Sequence, residues 1–181
     1  MKTLPQILSQ RVVARSRIFT VEALDLRFSN GAEVGFERLQ SGLNGAVLIV
    51  PITDDDQLVL IREYAAGMGR YELGFPKGKV DAGEGWREAS VRECMEEAGY
   101  RPGQVTLLDS VSLSAGYMNH VTHLVAAEAL VPATLPGDEP EPLDVIHWPL
   151  GDWKALLDEP EFSEGRAYAA LLRTLLHKEM L

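Results

Sequence analysis

Apolar and polar positions change rhythm several times along this chain, and each change predicts an element. Within residues 11–40 the stretch LDLRFSNGAEVGFERL alternates apolar and polar side chains around Asn30-Gly31, a dipeptide suited to tight hairpin turns. A small antiparallel β unit is expected there, and SGLNG at 41–45 reads as a hinge. Two apolar runs follow, AVLIVPI and QLVLIREY, with TDDD between them, and they predict adjacent strands. Near residue 84 the period becomes helical, and Gly99 suits a left-handed residue ending that helix. VTLLDSVSLS, VTHLVAAEAL and LDVIHWPL predict further strands, while 150–158 and 163–177 predict helices. Helices interleaved with buried and half-buried strands indicate an α/β layered domain with a mixed sheet.

The helix beginning near residue 84 carries the first candidate chemistry. At about 100° per residue, Val91, Cys94, Met95 and Ala98 share one side, and Glu93, Glu96 and Glu97 fall within one arc of roughly 100° on the other. A solvated helix face usually mixes signs, whereas three carboxylates at i, i+3 and i+4 repel one another by a few tenths of a kcal/mol per pair. Divalent cations reverse that penalty, and carboxylate oxygens suit Mg²⁺. Glu84 lies at the helix start and can approach the same place. Arg92 can orient a carboxylate such as Glu88 or Glu84 with its planar fork. Gly78 opens the loop before the helix, where Lys77 and Lys79 can hold phosphates.

Bulk properties narrow the partners. The chain has 181 residues, enough for one full core and a modest accessory unit. A net charge of −10 argues against nucleic-acid polymers, which need a basic surface, but not against small phosphorylated ligands beside a cation. No segment approaches a membrane span, and the start lacks an export signal, so a cytoplasmic location is expected. Cys94 is the single cysteine; its apolar position points to packing, and no internal disulfide can form. Between Pro132 and Asp144 the loop PATLPGDEPEPLD carries four prolines and the carboxylates Asp138, Glu139 and Glu141. One of these can swing over the glutamate helix, to complete a metal shell or to take a proton from water.

Residues 78–100, GKVDAGEGWREASVRECMEEAGY, meet the pattern G-x5-E-x7-R-E-U-x-E-E-x-G-U at Gly78, Glu84, Arg92, Glu93, Glu96, Glu97 and Gly99, with Cys94 and Tyr100 at the apolar positions. At ordinary residue frequencies such a match arises by chance roughly 10⁻⁷ times in a chain of this length, so coincidence is set aside. The segment resembles the box of the Nudix hydrolases. The resemblance extends to VARSRIFTVEALDLRFSNGAEVGFERL, VLIREYAAGMGRYELGFPKGKVDAGE and GDEPEPLDVIHWPL, which are similar to the members acting on ADP compounds.

That resemblance implies a Nudix α/β/α sandwich with a mixed sheet, plus a small N-terminal antiparallel β segment. It divides the chain into 1–43, a β segment for dimerisation and possible substrate contact, and 44–181, the hydrolase domain. It implies Mg²⁺, with Mn²⁺ as a substitute, ligated by Glu93, Glu96 and Glu97, by Glu141 and by the backbone carbonyl of Lys77. Glu96, Glu97, Glu139 and Arg92 form the implied catalytic set, with Glu139 the candidate base. Arg38, Arg62, Glu72 and Lys77 are the implied substrate contacts. Two departures stand out. ADP-ribose pyrophosphatases often have R-Q-Y-R where this chain reads Arg62-Glu63-Tyr64-Ala65, so the last arginine is missing or replaced by Arg62 or Arg70. Phe75-Pro76-Lys77-Gly78 also resembles the P-K-G of diadenosine polyphosphate hydrolases. The expected activity is Mg-dependent hydrolysis of ADP-ribose, NADH or short diadenosine polyphosphates by a homodimer. The alternatives are a pyrophosphatase for nucleoside triphosphates or nucleotide sugars, and a non-catalytic nucleotide-binding regulator.

Overall fold

The computed structural model describes residues 2–40 and 44–181, so 41–43 of the expected hinge lie outside the described residues. The chain divides into two compact units, Met1–Gly45 with Ser112–Val121, and Ala46–Val111 with Thr122–Leu181.

In the first unit β1 (Gln6–Arg15), β2 (Thr20–Arg27) and β3 (Glu33–Gln40) pair antiparallel in that order. The expected β unit is thus a three-stranded sheet that begins before residue 11. Its hairpin turn is also longer than Asn30-Gly31 alone. Phe28 N–H donates to Ala32 O, Gly31 N–H donates to Phe28 O with φ at 84°, and the Asn30 side chain accepts from Ala32 N–H. Glu22 is buried in this sheet and accepts from Gln10 and from Arg38. These bonds hold its carboxyl below its ordinary range.

The second unit holds β4 (Ala46–Pro51), β5 (Gln57–Ala65), β6 (Arg70–Gly74), β7 (Lys77–Lys79), α1 (Trp86–Glu93), β8 (Tyr100–Ser112), β9 (Val121–Pro132), β10 (Asp144–Pro149), α2 (Trp153–Leu157) and α3 (Gly165–His177), the ends of β8 and β9 reaching into the first unit. A single turn of π-helix, Cys94–Ala98, prolongs α1, and a 3₁₀ turn precedes α2. One sheet runs β7-β4-β9-β8, with β4 and β9 parallel and β7 antiparallel to β4, so it is mixed. The other runs β10-β5-β6 and is antiparallel. The runs expected to be adjacent strands therefore part company: each strand joins its own sheet, and among the described residues an isolated bridge from Ile52, just past β4, to Leu58 of β5 links the two runs.

Both central strands are buried on two faces, which explains their unbroken apolar runs. Val47 and Ile49 of β4 pack with Ala89 of α1, whereas Leu48 and Val50 pack with Leu58 and Leu60 of β5 and with Leu171 and Leu175 of α3. Val59, between Leu58 and Leu60, meets Cys94 and Ala98 of the π turn. Helices thus cover both sides of the strands, and the glutamate helix is fastened by its apolar back. β6 and β7 escape the apolar rhythm because they are short, and glycine sits in both.

Leu60 is fully buried at the centre of this packing. Leu60→Ala is expected to cost about 2–5 kcal/mol, read from chemical denaturation midpoints at constant slope. A loss below about 1 kcal/mol would mean that the strand is not fixed between the helices.

Candidate active site

Arg92 organises the loop-to-helix corner. Its Nε and Nη2 donate to the two carboxylate oxygens of Glu84 at 3.0 and 2.9 Å, and Nη2 also donates to the Lys79 carbonyl at 2.9 Å. Nη1 donates to Glu93 at 2.7 Å and to Glu96 at 2.9 Å. All five guanidinium N–H groups are used. These bonds raise the arginine above its ordinary range, the Glu84 pair contributing most, and they hold the Glu84 carboxyl low. Of the two partners expected for Arg92, Glu84 is the one it takes.

Gly78 stands in a strand, not in an open loop, and its task is close approach. A Cβ there would lie 1.8–2.3 Å from the carboxylate atoms of Glu93, so any larger residue displaces that side chain. Glu93 is buried, and its carboxyl is raised by that burial before any neighbour acts. Glu97 accepts the Lys77 backbone N–H at 2.8 Å. Burial, followed by the charges of Glu93 and Glu63, pushes its carboxyl up to about 8, against the opposing pull of Lys77. Cys94, on the opposite side of the turn, is buried and its thiol is pushed up to about 12 by that burial, which removes it from thiolate chemistry.

The proline-rich loop is tied to the end of this helix. Leu135 N–H donates to Met95 O at 3.2 Å, and Ala133 N–H donates to the carbonyl of Gly99, whose φ of 75° ends the helix. From that root the loop carries Asp138, Glu139 and Glu141 into a cleft of about 460 Å³ lined also by Glu93, Glu96 and Glu97. An adjoining cleft shares Glu93, Glu96, Glu97, Asp138 and Glu139 and adds Lys77, Lys79 and Arg92. Glu139 is raised by burial, then by Glu63 and Asp138. Among the described residues, no three His, Cys, Asp or Glu side chains stand already grouped as a cation site.

The remaining expected contacts lie elsewhere. Arg62 pairs with Glu161 at 2.8 Å and Asp144 at 3.3 Å, in a pocket it shares with Glu141 and Tyr71. Glu72 pairs with Arg70 beside Ser163, and Arg38 belongs to the N-terminal unit with Glu22. Glu63 and Tyr71, also outside the expected set, touch members that line the clefts. Glu63 forms an ion pair with the Lys77 ammonium, and Tyr71 donates its hydroxyl to Glu141 at 2.6 Å. A carboxylate at the inner end of the apolar run QLVLIREY was the available signal for Glu63; nothing local marked Tyr71.

Glu97 makes stability depend on pH. Its carboxyl ionises at 4.5 in the unfolded reference and near about 8 in the fold, so across that window the folded state keeps a proton that the unfolded state has released. Stability of the metal-free protein is therefore expected to fall as pH rises from 4.5 toward about 8. Glu97→Gln should flatten that slope and raise the denaturation midpoint at alkaline pH, measured in the presence of a chelator. An unchanged slope in the variant would show that Glu97 is already ionised in the fold.

Comparison with known proteins follows the same lines. The NUDIX domain family matches residues 42–168, and the NudE-type Nudix hydrolase N-terminal domain matches residues 5–38. The chain is 48% identical to the ADP compounds hydrolase NudE of Escherichia coli (strain K12), over 92% of this chain and 89% of that protein. It is 26% identical to the ADP-ribose pyrophosphatase of Bacillus subtilis (strain 168), over 90% of this chain and 91% of that one. A crystal structure of an ADP compounds hydrolase aligns with a TM-score of 0.92 at 44% identity, covering 100% of this chain and 99% of that chain. No described helix is long and apolar enough to cross a membrane. With its box glutamates, their arginine clamp and the acidic loop in one unit, the chain belongs to the Nudix hydrolase family, is closely related to its NudE-type members, and is a pyrophosphohydrolase of nucleotide-derived substrates.

Proposed function

We propose that the enzyme cleaves the pyrophosphate of ADP-linked compounds, such as ADP-ribose, NADH and short diadenosine polyphosphates, releasing AMP and the phosphorylated second group. The observation that carries this reading is the shared cleft in which the helix carboxylates Glu93, Glu96 and Glu97 meet Glu139 and Glu141 of the loop. The printed activities of the relatives, an ADP compounds hydrolase and an ADP-ribose pyrophosphatase, support the substrate class.

The donor set fits magnesium, with manganese as a substitute. Burial, with the Glu93 charge nearby, raises the Glu97 carboxyl, a cost of ionisation that a bound cation would offset, and the missing Cβ of Gly78 leaves room for the Glu93 carboxylate. Both features suit a hard cation bound by oxygen. Glu93, Glu96, Glu97 and Glu141, with the Lys77 carbonyl, would hold the ion. When bound, it neutralises pyrophosphate charge and polarises the P–O bond under attack. Arg92 keeps Glu93 and Glu96 in place, so their geometry does not have to be assembled at each turnover. Glu139 takes the proton of the attacking water, a role its raised carboxyl suits. The water oxygen attacks one phosphorus in line, the P–O–P bridge breaks, and the bridging oxygen leaves with the other phosphate. From ADP-ribose the products are AMP and ribose 5-phosphate. Lys77, Arg62, Arg38 and Glu72 remain the candidates for holding substrate.

The same reading assigns residues 1–43 to dimerisation. Ile7, Val12 and Val13 of β1 and Val34 and Phe36 of β3 are exposed large apolar side chains on the N-terminal sheet, and exposed apolar strands of this kind invite pairing with another chain. The partner is a second copy of this chain. Sedimentation should show a dimer, and Val12→Glu with Val13→Glu should shift it to monomer; a monomeric parent protein would discard the assignment.

Turnover tests the chemistry. Purified protein with magnesium should release AMP from ADP-ribose, NADH and diadenosine compounds in preference to hydrolysing a nucleoside triphosphate, with products identified by chromatography. Glu139→Gln should lower kcat by about 10²–10⁴-fold. An unchanged rate in that variant would move the base role to Glu141 or to a box glutamate.

A further inference from the structure

The acidic loop is secured at both ends and, between them, by one bond. At its root Leu135 N–H donates to Met95 O, and at its far end Asp144 opens β10 beside Arg62. Among the described residues, the single hydrogen bond made by 136–143 is the one Glu141 accepts from the Tyr71 hydroxyl at 2.6 Å. Pro136, Pro140 and Pro142 have no N–H to donate, so the backbone of this span has few other means of attachment. Yet this span carries Asp138, Glu139 and Glu141 into the cleft.

The prolines make that one bond reach beyond its own residue. Glu139 and Glu141 each precede a proline, and a residue in that position is held to extended backbone. Pro140, between them, has its φ fixed by its ring. Fixing Glu141 therefore fixes Glu139 as well, two points on one stiff segment. Tyr71 occupies Oε1 of Glu141, and Oε2 accepts no bond from a described residue. One oxygen holds the loop while the other stays free for the cleft.

Tyr71 is suited to serve as a fixed post. It stands opposite Tyr64 in the β5–β6 ladder, and the two rings meet edge to face with centroids 5.5 Å apart. Leu73, on the same face of β6, is buried in the main core, so the strand beneath the ring is anchored. Side chains on anchored strands hold their direction better than those on loops. Tyr71 itself is exposed, so its bond to Glu141 sets direction more than it adds stability.

We propose that Tyr71 is a positioning residue: its hydroxyl, acting through Glu141, holds the acidic loop so that Glu139 and Glu141 stay in the cleft with the box glutamates. The inference rests on the roles proposed above for those two carboxylates and adds the group that holds them.

Tyr71→Phe removes the hydroxyl and keeps the ring against Tyr64, so the denaturation midpoint should not move. In the metal-free variant, nuclear magnetic resonance order parameters of the Gly137, Asp138, Glu139 and Glu141 amides should fall from about 0.85 to below about 0.6. At saturating magnesium kcat for ADP-ribose should fall about 10–100-fold with KM unchanged, the loss expected when a group that orients a ligand is removed. Glu141→Ala and the double variant complete a cycle. Because Tyr71 acts through Glu141, adding Tyr71→Phe to Glu141→Ala should change neither the order parameters nor kcat further. Glu141→Gln keeps an acceptor for the hydroxyl and should keep the loop ordered, whereas Glu141→Ala should release it; that pair reads the bond even if position 71 tolerates no change. Parent-like order parameters in Tyr71→Phe, equal order in the two Glu141 variants, or additive losses in the cycle would overturn the assignment. If the parent protein releases no AMP from any ADP compound, the proposed activity fails separately, and the order parameters still decide the role of Tyr71.

Discussion

The five-pronged clamp of Arg92 is the interaction on which the site depends. A guanidinium is planar and permanently charged, so its N–H groups fix directions as well as charge. Here they fix Glu84 and its loop, the backbone at Lys79, and Glu93 and Glu96 of the helix at once. A lysine at position 92 would carry the same charge but could not span these partners, having three donors on a single nitrogen. The clamp lets acidic side chains crowd together at one end of a helix without driving it apart.

That crowding sets stability against function. Glu97 and Glu93 are raised by burial, so the fold must be held by something other than its site. The compensation lies in β4 and β5, whose side chains are apolar on both faces and packed between α1 and α3. The glutamate helix is anchored through its back, at Ala89, Cys94 and Ala98, and this leaves its front free to be unfavourable. The two halves of the same helix therefore do opposite thermodynamic work, as is common where a site needs strained or desolvated groups.

Much of this was legible from residue types alone. Strands buried on both faces announce themselves as apolar runs, and the box residues stand at fixed local offsets. The layered α/β class with a mixed sheet and the family followed from those two signals. The division of β4 and β5 between separate sheets did not, because it depends on which distant strands pair with them. Nor did β6 and β7, which are too short to show a period. Partnerships across long separations were equally hidden: Glu63 meets Lys77 from 14 residues away, and Tyr71 meets Glu141 from 70. Gly78 was correctly singled out, but as a loop opener; only the fold reveals that the space it leaves belongs to Glu93.

The π turn at Cys94–Ala98 has a consequence for how this segment can vary. A π turn holds one more residue than the α turn it replaces, and it leaves a carbonyl unpaired within the helix. Met95 O lies in the last turn, where helix carbonyls run out of partners, and it accepts from Leu135 N–H, so the acidic loop is moored where the winding loosens. Deleting a single residue there would let the helix tighten, rotating Glu96 and Glu97 about its axis and casting off the loop in the same movement. The count of residues between Glu93 and Gly99 thus carries information that their chemistry does not. A change in that interval's length would disassemble the helix face and the loop together, even with every one of its carboxylates retained.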